Sequence, residues 1–118
     1  MPEFRVPDHI ASAASRGLGL LEFAGGGLQG KTIREARRMA EGYVDLDKAI
    51  RAAAWFARHK ADIETPDADA YLRGERNRPT PGQVAWLLWG GQIGRENRDD
   101  AEAFFTRLVE RERENNNS

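Results

Sequence analysis

The sequence predicts an all-α protein: a compact single domain of about five helices, joined by short turns that contain glycine and by one long polar loop. Apolar residues recur at spacings of three and four along most of the chain, and the alternation typical of a strand is absent. Residues that favour helix starts precede these apolar runs, and glycines follow them. A chain of 118 residues has the length of one domain.

The chain opens with a segment that we expect to be an extended arm. Residues 1–7 contain Pro2 and Pro7, and proline disfavours a continuous helix. Asp8 offers an N-cap for the first helix, and the glycine-rich stretch 25–30 ends it. The apolar face of this helix consists of Ile10, Ala13, Ala14, Leu18 and Leu21.

Two further helices are predicted in the middle of the chain. The segment Thr32–Glu35 has the pattern of a capping box, in which each side chain accepts a hydrogen bond from the other residue's backbone amide. We expect the helix that begins there to stop at Gly42. Asp45 or Asp47 caps the next helix, which runs towards Lys60.

The last third of the chain is predicted to contain the long loop and two helices. Residues 62–79, rich in Asp, Pro, Arg and Gly, form the loop, with room for one helical turn. Thr80, followed by Pro and Gln at the favoured positions, starts a helix that is apolar on nearly every side and therefore belongs in the core. Asp99 begins the last helix. The helical domain then spans residues 8–114, and residues 115–118 are expected to be a disordered tail.

The composition argues against several classes of function. Eighteen basic and nineteen acidic residues leave a net charge of −1, which does not advertise nucleic acid or an anionic membrane as a partner. The chain has no cysteine, and its two histidines, His9 and His59, are far apart in sequence. No apolar run has membrane-spanning length. We therefore predict a protein that is not an enzyme, with no catalytic residue, cofactor, metal, membrane or small-molecule substrate.

The glycine-rich stretch matches a nucleotide-binding motif. Residues 25–32 read Gly-Gly-Gly-Leu-Gln-Gly-Lys-Thr, the phosphate-loop pattern in which backbone amides, a Lys and a hydroxyl bind phosphates and Mg²⁺. The motif works within a parallel sheet of buried strands, one of which ends in Asp. The rest of the chain predicts no such strands. Nucleotide binding through Gly25–Thr32 is therefore the weaker alternative to a plain flexible turn.

Basic residues are concentrated in one part of the chain. Residues 31–60 contain eight Lys or Arg and four Asp or Glu, a local net charge of +4. Four of the cations lie on the second predicted helix: Lys31, Arg34, Arg37 and Arg38. Two helices joined by a tight glycine turn with basic flanks can form a DNA-binding module, in which these four residues would contact the nucleic acid. The competing interpretation is a solvated face with intramolecular ion pairs, which the near-neutral net charge favours.

Three apolar residues are candidates for contact with a protein partner. Trp55 and Phe56 are adjacent on a helix and point about 100° apart, so one of them faces away from the core, and we select Trp55. Phe4 and Val6 lie on the N-terminal arm. They would anchor the arm on another protein, or back on this domain if the chain acts alone.

Two segments resemble a known module. They are Thr32-Ile-Arg-Glu-Ala-Arg-Arg-Met-Ala-Glu-Gly42, which leads to Ala54-Trp-Phe-Ala-Arg-His-Lys-Ala-Asp62, and Thr80-Pro-Gly-Gln-Val-Ala-Trp-Leu-Leu-Trp-Gly-Gly91. Together they resemble a small helical module encoded in tailed-bacteriophage genomes, often near head genes and sometimes fused to head-maturation proteins. The resemblance covers roughly residues 5–108. In such relatives the glycine-rich turn lacks a regular Lys-Thr, which further weakens the phosphate-loop interpretation.

This resemblance implies a function and a location but no catalytic residues. The leading prediction is a non-enzymatic phage structural or assembly protein that binds other virion components, in the capsid or head. Its partners would be other phage head proteins or further copies of itself. We expect it in the virion, and in the host cytoplasm during assembly.

Overall fold

The computed structural model describes residues 2–116, which form six α-helices and one two-stranded sheet. In chain order the elements are β1 (Glu3–Arg5), α1 (Asp8–Leu18), α2 (Gly30–Ala40), β2 (Tyr43–Asp45), α3 (Leu46–His59), α4 (Pro66–Leu72), α5 (Pro81–Leu88) and α6 (Asp100–Asn116). Short 3₁₀ turns occupy Leu21–Phe23 and Lys60–Ile63. The predicted compact, mostly helical single domain is confirmed. The all-α class is wrong in one respect, because of the sheet.

The sheet ties the N-terminal segment to the connection between α2 and α3. β1 and β2 pair antiparallel, with Phe4 opposite Val44, and the amide of Val6 donates to the Gly42 carbonyl at 2.9 Å. The Val6 side chain is buried in the core. Residues 2–7 are thus extended, as expected, and lie on their own domain. Strands of three residues are too short to show the alternation that predicts a strand.

Most of the predicted long polar loop is ordered structure. The segment contains a 3₁₀ turn and α4, whose N-cap Thr65 accepts a hydrogen bond from the Ala68 amide at 3.1 Å and whose first residue is Pro66. This Thr-Pro start is the same signal that predicted α5 at Thr80. The high content of charged residues and glycine concealed it, and only residues 64–65 and 73–80 remain as irregular connections.

Two helix starts follow the predicted chemistry. Asp45 is the N-cap of α3 and accepts from the Lys48 amide at 2.8 Å. Thr80 and Gln83 form the complete capping box of α5, with distances of 3.1 and 2.9 Å for the two reciprocal bonds. Both predictions are confirmed, because in each case the capping partners are close in sequence and need no tertiary contact.

Two other predicted helix starts are wrong. The Thr32–Glu35 capping box does not form, since α2 begins two residues earlier at Gly30 with Gln29 in the N-cap position. The Glu35 carboxylate turns instead to α3, where charged partners are available. Asp8 is the first residue of α1, and Pro7 occupies its N-cap position.

The core is built around α5, which packs against α1. Trp86 is fully buried, and its indole N–H donates to the Gln92 carbonyl at 2.9 Å. Phe56 of α3 meets Trp86 edge to face with centroids 4.7 Å apart, and it stacks on Phe105 of α6. The predicted central place of the Thr80 helix is therefore confirmed, because nearly all of its surface is apolar.

Gly17 allows α1 and α5 to approach closely. A Cβ at this position would lie 2.9 Å from the Leu88 backbone nitrogen, which is too close for any side chain. On helix propensity alone a glycine weakens a helix by about 1 kcal/mol relative to alanine. Here the missing side chain is what lets the two helix backbones pack together.

The C-terminal helix is longer than predicted. α6 continues through Asn115 and Asn116, which the sequence analysis assigned to a disordered tail. The rest of that tail, Asn117 and Ser118, lies outside the described residues, as does Met1 of the N-terminal arm. Helix α6 packs against α3 through an apolar stripe that includes Phe105 and Leu108.

Candidate partner-binding groove

A groove between α2 and α3 brings together residues that the sequence analysis had considered separately. It has a volume of about 380 Å³ and is called here the α2–α3 groove. Its lining residues are Gln29, Lys31, Thr32, Glu35, Ile50, Arg51, Ala54, Trp55, Arg58 and Trp89. Lys31, a predicted DNA or phosphate contact, and Trp55, a predicted partner contact, thus lie on one surface.

The floor of the groove is apolar and partly open to solvent. Ile50 is 44% exposed, the one large hydrophobic side chain among residues 2–116 that is exposed to that degree. Ala54 follows four residues later on the same face of α3. Trp55 and Trp89 are half-buried at the inner side. An apolar floor of this kind beside charged residues is typical of a contact surface.

Trp55 sits inside a column of stacked groups. His59 stacks on it at 4.5 Å between centroids, and Trp89 stacks on it at 4.8 Å with an 8° angle between the planes. Two nearly parallel rings this close cannot share one indole face without overlapping, so they cover opposite faces. The Lys48 Nζ lies 3.2 Å from the Trp89 centroid and covers the outer face of that ring. Only the edges of Trp55 can therefore reach the groove.

A charged network supports the groove from beneath. The Lys48 ammonium lies 3.2 Å from Glu35 Oε1, and Arg51 binds the same carboxylate through both of its terminal nitrogens. Arg51 also reaches Asp47, with Nη2 at 3.0 Å from Oδ2. Lys48 is only 2% exposed, which is rare for a lysine without a partner. Both oxygens of the Glu35 carboxylate are thus bound by Lys48 or Arg51.

The network raises the pKa of Arg51, through its hydrogen bond to Glu35, and shifts the pKa values of Lys48 and Glu35. Burial lowers the pKa of Lys48 to about 8, against the attraction of Glu35, and the charges of Arg51 and Lys31 lower it further. For Glu35, burial favours the neutral acid, but the hydrogen bond from Arg51 and the charge of Lys48 outweigh it and hold its pKa below the ordinary value. Both groups are charged at neutral pH. Lys31 is therefore close enough to Lys48 for their positive charges to repel each other.

Two cations at the rim of the groove have no acidic partner. Within residues 2–116, neither Lys31 nor Arg58 forms an ion pair. Lys31 comes from the first turn of α2, and Arg58 from the last turn of α3. The lining contains three cations and one carboxylate, which leaves a net charge of +2. The α2 N-terminus adds a partial positive charge at the same rim.

The four basic residues of α2 do not form one uniform surface. Arg38 is neutralised, because its Nε lies 2.8 Å from Glu3 Oε2 and its Nη1 lies 2.8 Å from Glu41 Oε2. Its guanidinium also covers the Tyr43 ring at 4.4 Å. Arg34 and Arg37 are exposed, and no ion pair links them to any residue that the structure describes. Three of the four predicted cations therefore remain free, and Lys31 alone lines the groove.

The phosphate-loop motif lacks its structural context. The residues before it form the end of α1 and a 3₁₀ turn rather than a buried strand. The sheet described for residues 2–116 has two short antiparallel strands. The amide of Thr32 donates to the Gln29 carbonyl at 3.1 Å, so it does not face an empty phosphate site. These observations weigh against nucleotide binding through Gly25–Thr32.

The two candidates on the arm contact their own domain. Val6 belongs to the buried core, and Phe4 is half-buried against it. The guanidinium of Arg5 donates to the Tyr43 hydroxyl at 2.8 Å, which adds to the β1–β2 pairing. Neither Phe4 nor Val6 lies at the α2–α3 groove.

A larger cavity, of about 560 Å³, lies elsewhere, between the end of α4 and the segment 94–97. Two arginines line it, but each has a nearby carboxylate: Arg73 with Glu75, and Arg95 with Asp69, both at 2.9 Å. Its positive charge is therefore balanced locally. This balance distinguishes it from the α2–α3 groove, whose rim cations are free.

Sequence reasoning missed five residues of the groove and its support: Glu35 as an ion-pair partner, Lys48, Ile50, Arg51 and Arg58. One signal was available, since Ile50, Ala54 and Arg58 recur every four residues and mark one face of α3. The burial of Lys48 had no local signal. It depends on Trp89, which is far away in the sequence and reaches Lys48 only in the folded chain.

Comparison with known proteins does not assign this chain to a family. The chain matches no family model, no curated protein and no solved structure. No helix within residues 2–116 combines the length and the apolar composition needed to cross a membrane. In the same part of the chain, no group of three His, Cys, Asp or Glu side chains is placed to hold a metal ion.

Proposed function

We propose that this chain is a non-enzymatic structural or assembly protein of a phage head, which binds another head protein through the α2–α3 groove. The single observation that supports it best is the exposed Ile50 on an apolar floor that the free cations Lys31 and Arg58 also line. Such a surface offers area for contact and charge for specificity. The phage context comes from the resemblance of residues 32–62 and 80–91 to phage-encoded modules.

The described geometry suits binding better than chemistry. The one buried amine, on Lys48, is held by Glu35 and covered by Trp89, so no reactant could approach it without displacing the stack. His59 is hydrogen-bonded to Asp62 at 2.9 Å but stacks on Trp55, and no nucleophile contact accompanies the pair. A partner protein is therefore the occupant that this surface fits.

Incorporation of the protein into phage particles tests this proposal. The chain would be co-expressed with capsid and portal proteins of a tailed phage, and particles would be separated from free protein on a density gradient. Wild-type protein should sediment with the particles. Ile50→Glu should remain in the free fraction, because it places a charge on the apolar floor. Ala103→Glu, on the exposed side of α6, is the matched control and should sediment normally.

Two results would contradict this proposal in different ways. Wild-type protein that stays entirely in the free fraction would overturn the head-protein function. Full incorporation of Ile50→Glu would show that the head contact lies outside the groove. Circular dichroism of each variant verifies that the helices are intact, which is expected because both sites are exposed.

DNA binding is the second candidate, favoured by one specific observation. Lys31, Arg34 and Arg37 are exposed on α2 without acidic partners among residues 2–116. If α2 binds DNA, affinity for a duplex should fall steeply as salt rises, and Arg34→Ala with Arg37→Ala should reduce that salt dependence. Ile50→Glu should then have little effect, which separates this function from partner binding in the groove.

A further inference from the structure

We propose that the α2–α3 groove binds an acidic peptide segment of its partner, with one apolar side chain of that segment seated on Ile50 and the edge of Trp55. This inference rests on the proposed function and specifies the chemistry of the partner.

Charge complementarity selects an acidic occupant. Lys31 and Arg58 rim the groove without acidic partners in the described chain, while Glu35 is already bound by Lys48 and Arg51. A basic segment would meet only repulsion, because no free carboxylate lines the groove. A carboxylate of the partner could pair with either rim cation and would also lie near the positive end of α2.

The covered indole faces favour a peptide over a nucleic acid. Proteins that bind single-stranded nucleic acid stack bases on exposed aromatic faces. Here His59 and Trp89 cover both faces of Trp55, and Lys48 covers the outer face of Trp89. No indole face is left for a base. The edges of these rings, with Ile50 and Ala54, instead form an apolar floor that suits an aliphatic or aromatic side chain.

The spacing of the charges suggests how the segment lies. Lys31 is at the start of α2 and Arg58 at the end of α3, with Ile50 and Ala54 along the face of α3. The two free cations therefore lie beside this floor, one on each helix. The matching sequence pattern in the partner is an apolar residue with Asp or Glu close to it.

The experiment selects peptides without assuming a sequence. A random library of short displayed peptides would be panned against the immobilised full-length protein, and the enriched peptides synthesised with a fluorescent label. We expect enriched sequences that carry Asp or Glu around Leu, Ile, Phe or Trp. In a ¹⁵N-labelled sample, these peptides should shift the amide signals of α2 and α3 and the indole signals of Trp55 and Trp89, and leave α6 unchanged.

Paired charge variants test the rim. Lys31→Glu with Arg58→Glu should weaken peptide affinity by about tenfold or more, because two attractive charges become repulsive. Arg107→Glu with Arg111→Glu on α6 makes the same change in net charge at exposed positions away from the groove, and should change affinity by less than about twofold. Ile50→Glu should also weaken binding, through loss of the apolar contact.

Three outcomes would overturn the acidic-peptide proposal: no peptide is enriched, the enriched peptides are basic, or the groove variants bind them as well as wild type does. Tighter binding of a single-stranded oligonucleotide than of any enriched peptide would overturn it as well. If these results occur while the protein still enters particles, the head function stands and only the partner chemistry is wrong. Failure of both experiments removes the proposed function.

Discussion

The ammonium nitrogen of Lys48 lies 3.2 Å from the centroid of the Trp89 indole ring, in a site where the lysine is 2% exposed. The ring face and the Glu35 carboxylate replace part of the hydration that the ammonium loses on burial. The replacement is incomplete, since the pKa of Lys48 is lowered to about 8. Burying the charged ammonium of Lys48 beneath the groove therefore costs free energy.

This cost predicts a specific dependence of stability on pH. The pKa of Lys48 is about 8 in the folded protein and 10.5 in its ordinary state, so between these values the unfolded chain binds more protons. Stability should therefore rise with pH from about 8 to 10.5, by up to about 3 kcal/mol. Below pH 8 both states are protonated and the full cost remains. Denaturant unfolding of wild type and Lys48→Met across this range isolates the effect.

The expected sign is that wild type gains stability relative to Lys48→Met as the pH rises. Lys60→Met is the matched control, because the hydrogen bond to Asp99 raises the pKa of Lys60, so this lysine keeps its proton in the folded protein where Lys48 loses it. Parallel curves for wild type and Lys48→Met would show that the lysine is not buried as a charge.

A second prediction concerns Gly91, which packs against the central tryptophan. A Cβ there would lie 2.7 Å from Phe56 Cε1 and would also collide with the Trp86 indole, and both rings are fully buried. We expect Gly91→Ala to lower the free energy of unfolding by about 1–3 kcal/mol. Gly26→Ala is the control, since no atom lies within 4 Å of its added methyl, and it should be neutral or slightly stabilising. If Gly91→Ala and Gly26→Ala melt at the same temperature, Gly91 does not pack against the buried rings of Phe56 and Trp86.

A third prediction concerns the N-terminal arm. The Val6 side chain is buried, so Val6→Ala removes apolar contacts and should destabilise the fold by about 1–3 kcal/mol, while the backbone hydrogen bond to Gly42 is kept. Glu3→Ala removes an exposed ion pair with Arg38 and should have a much smaller effect. Thermal unfolding compares the two. If Val6→Ala melts like wild type, the arm is not docked in solution and is free to anchor on a partner.

A fourth prediction addresses the phosphate-loop motif. Because the motif lacks its strand and the Thr32 amide is already used, ATP or GTP with Mg²⁺ should not change the melting temperature of wild type. Lys31→Ala should show the same lack of response. A saturable, Mg²⁺-dependent rise in wild type that Lys31→Ala abolishes would establish the nucleotide site instead.

The accuracy of the sequence predictions depended on how local the underlying physics was. The caps at Asp45 and Thr80 were predicted because both partners lie within one helical turn. The Thr32–Glu35 box failed because Glu35 has a stronger alternative in Arg51 and Lys48, sixteen and thirteen residues away. A local motif holds only when no tertiary partner competes for its side chain.

The same distinction separates the parts of the groove. Sequence alone determined that the chain is mostly helical and that α5 is central, since both follow from periodicity and composition. It also marked Trp55 and Lys31 as candidate contact residues. Only the tertiary structure decided that Trp55 and Lys31 share one surface, that Trp89 covers Lys48 and that β1 docks on β2. The physical reason is that these contacts join residues distant in sequence. Their free energy depends on burial and charge pairing that exist only once the helices have packed.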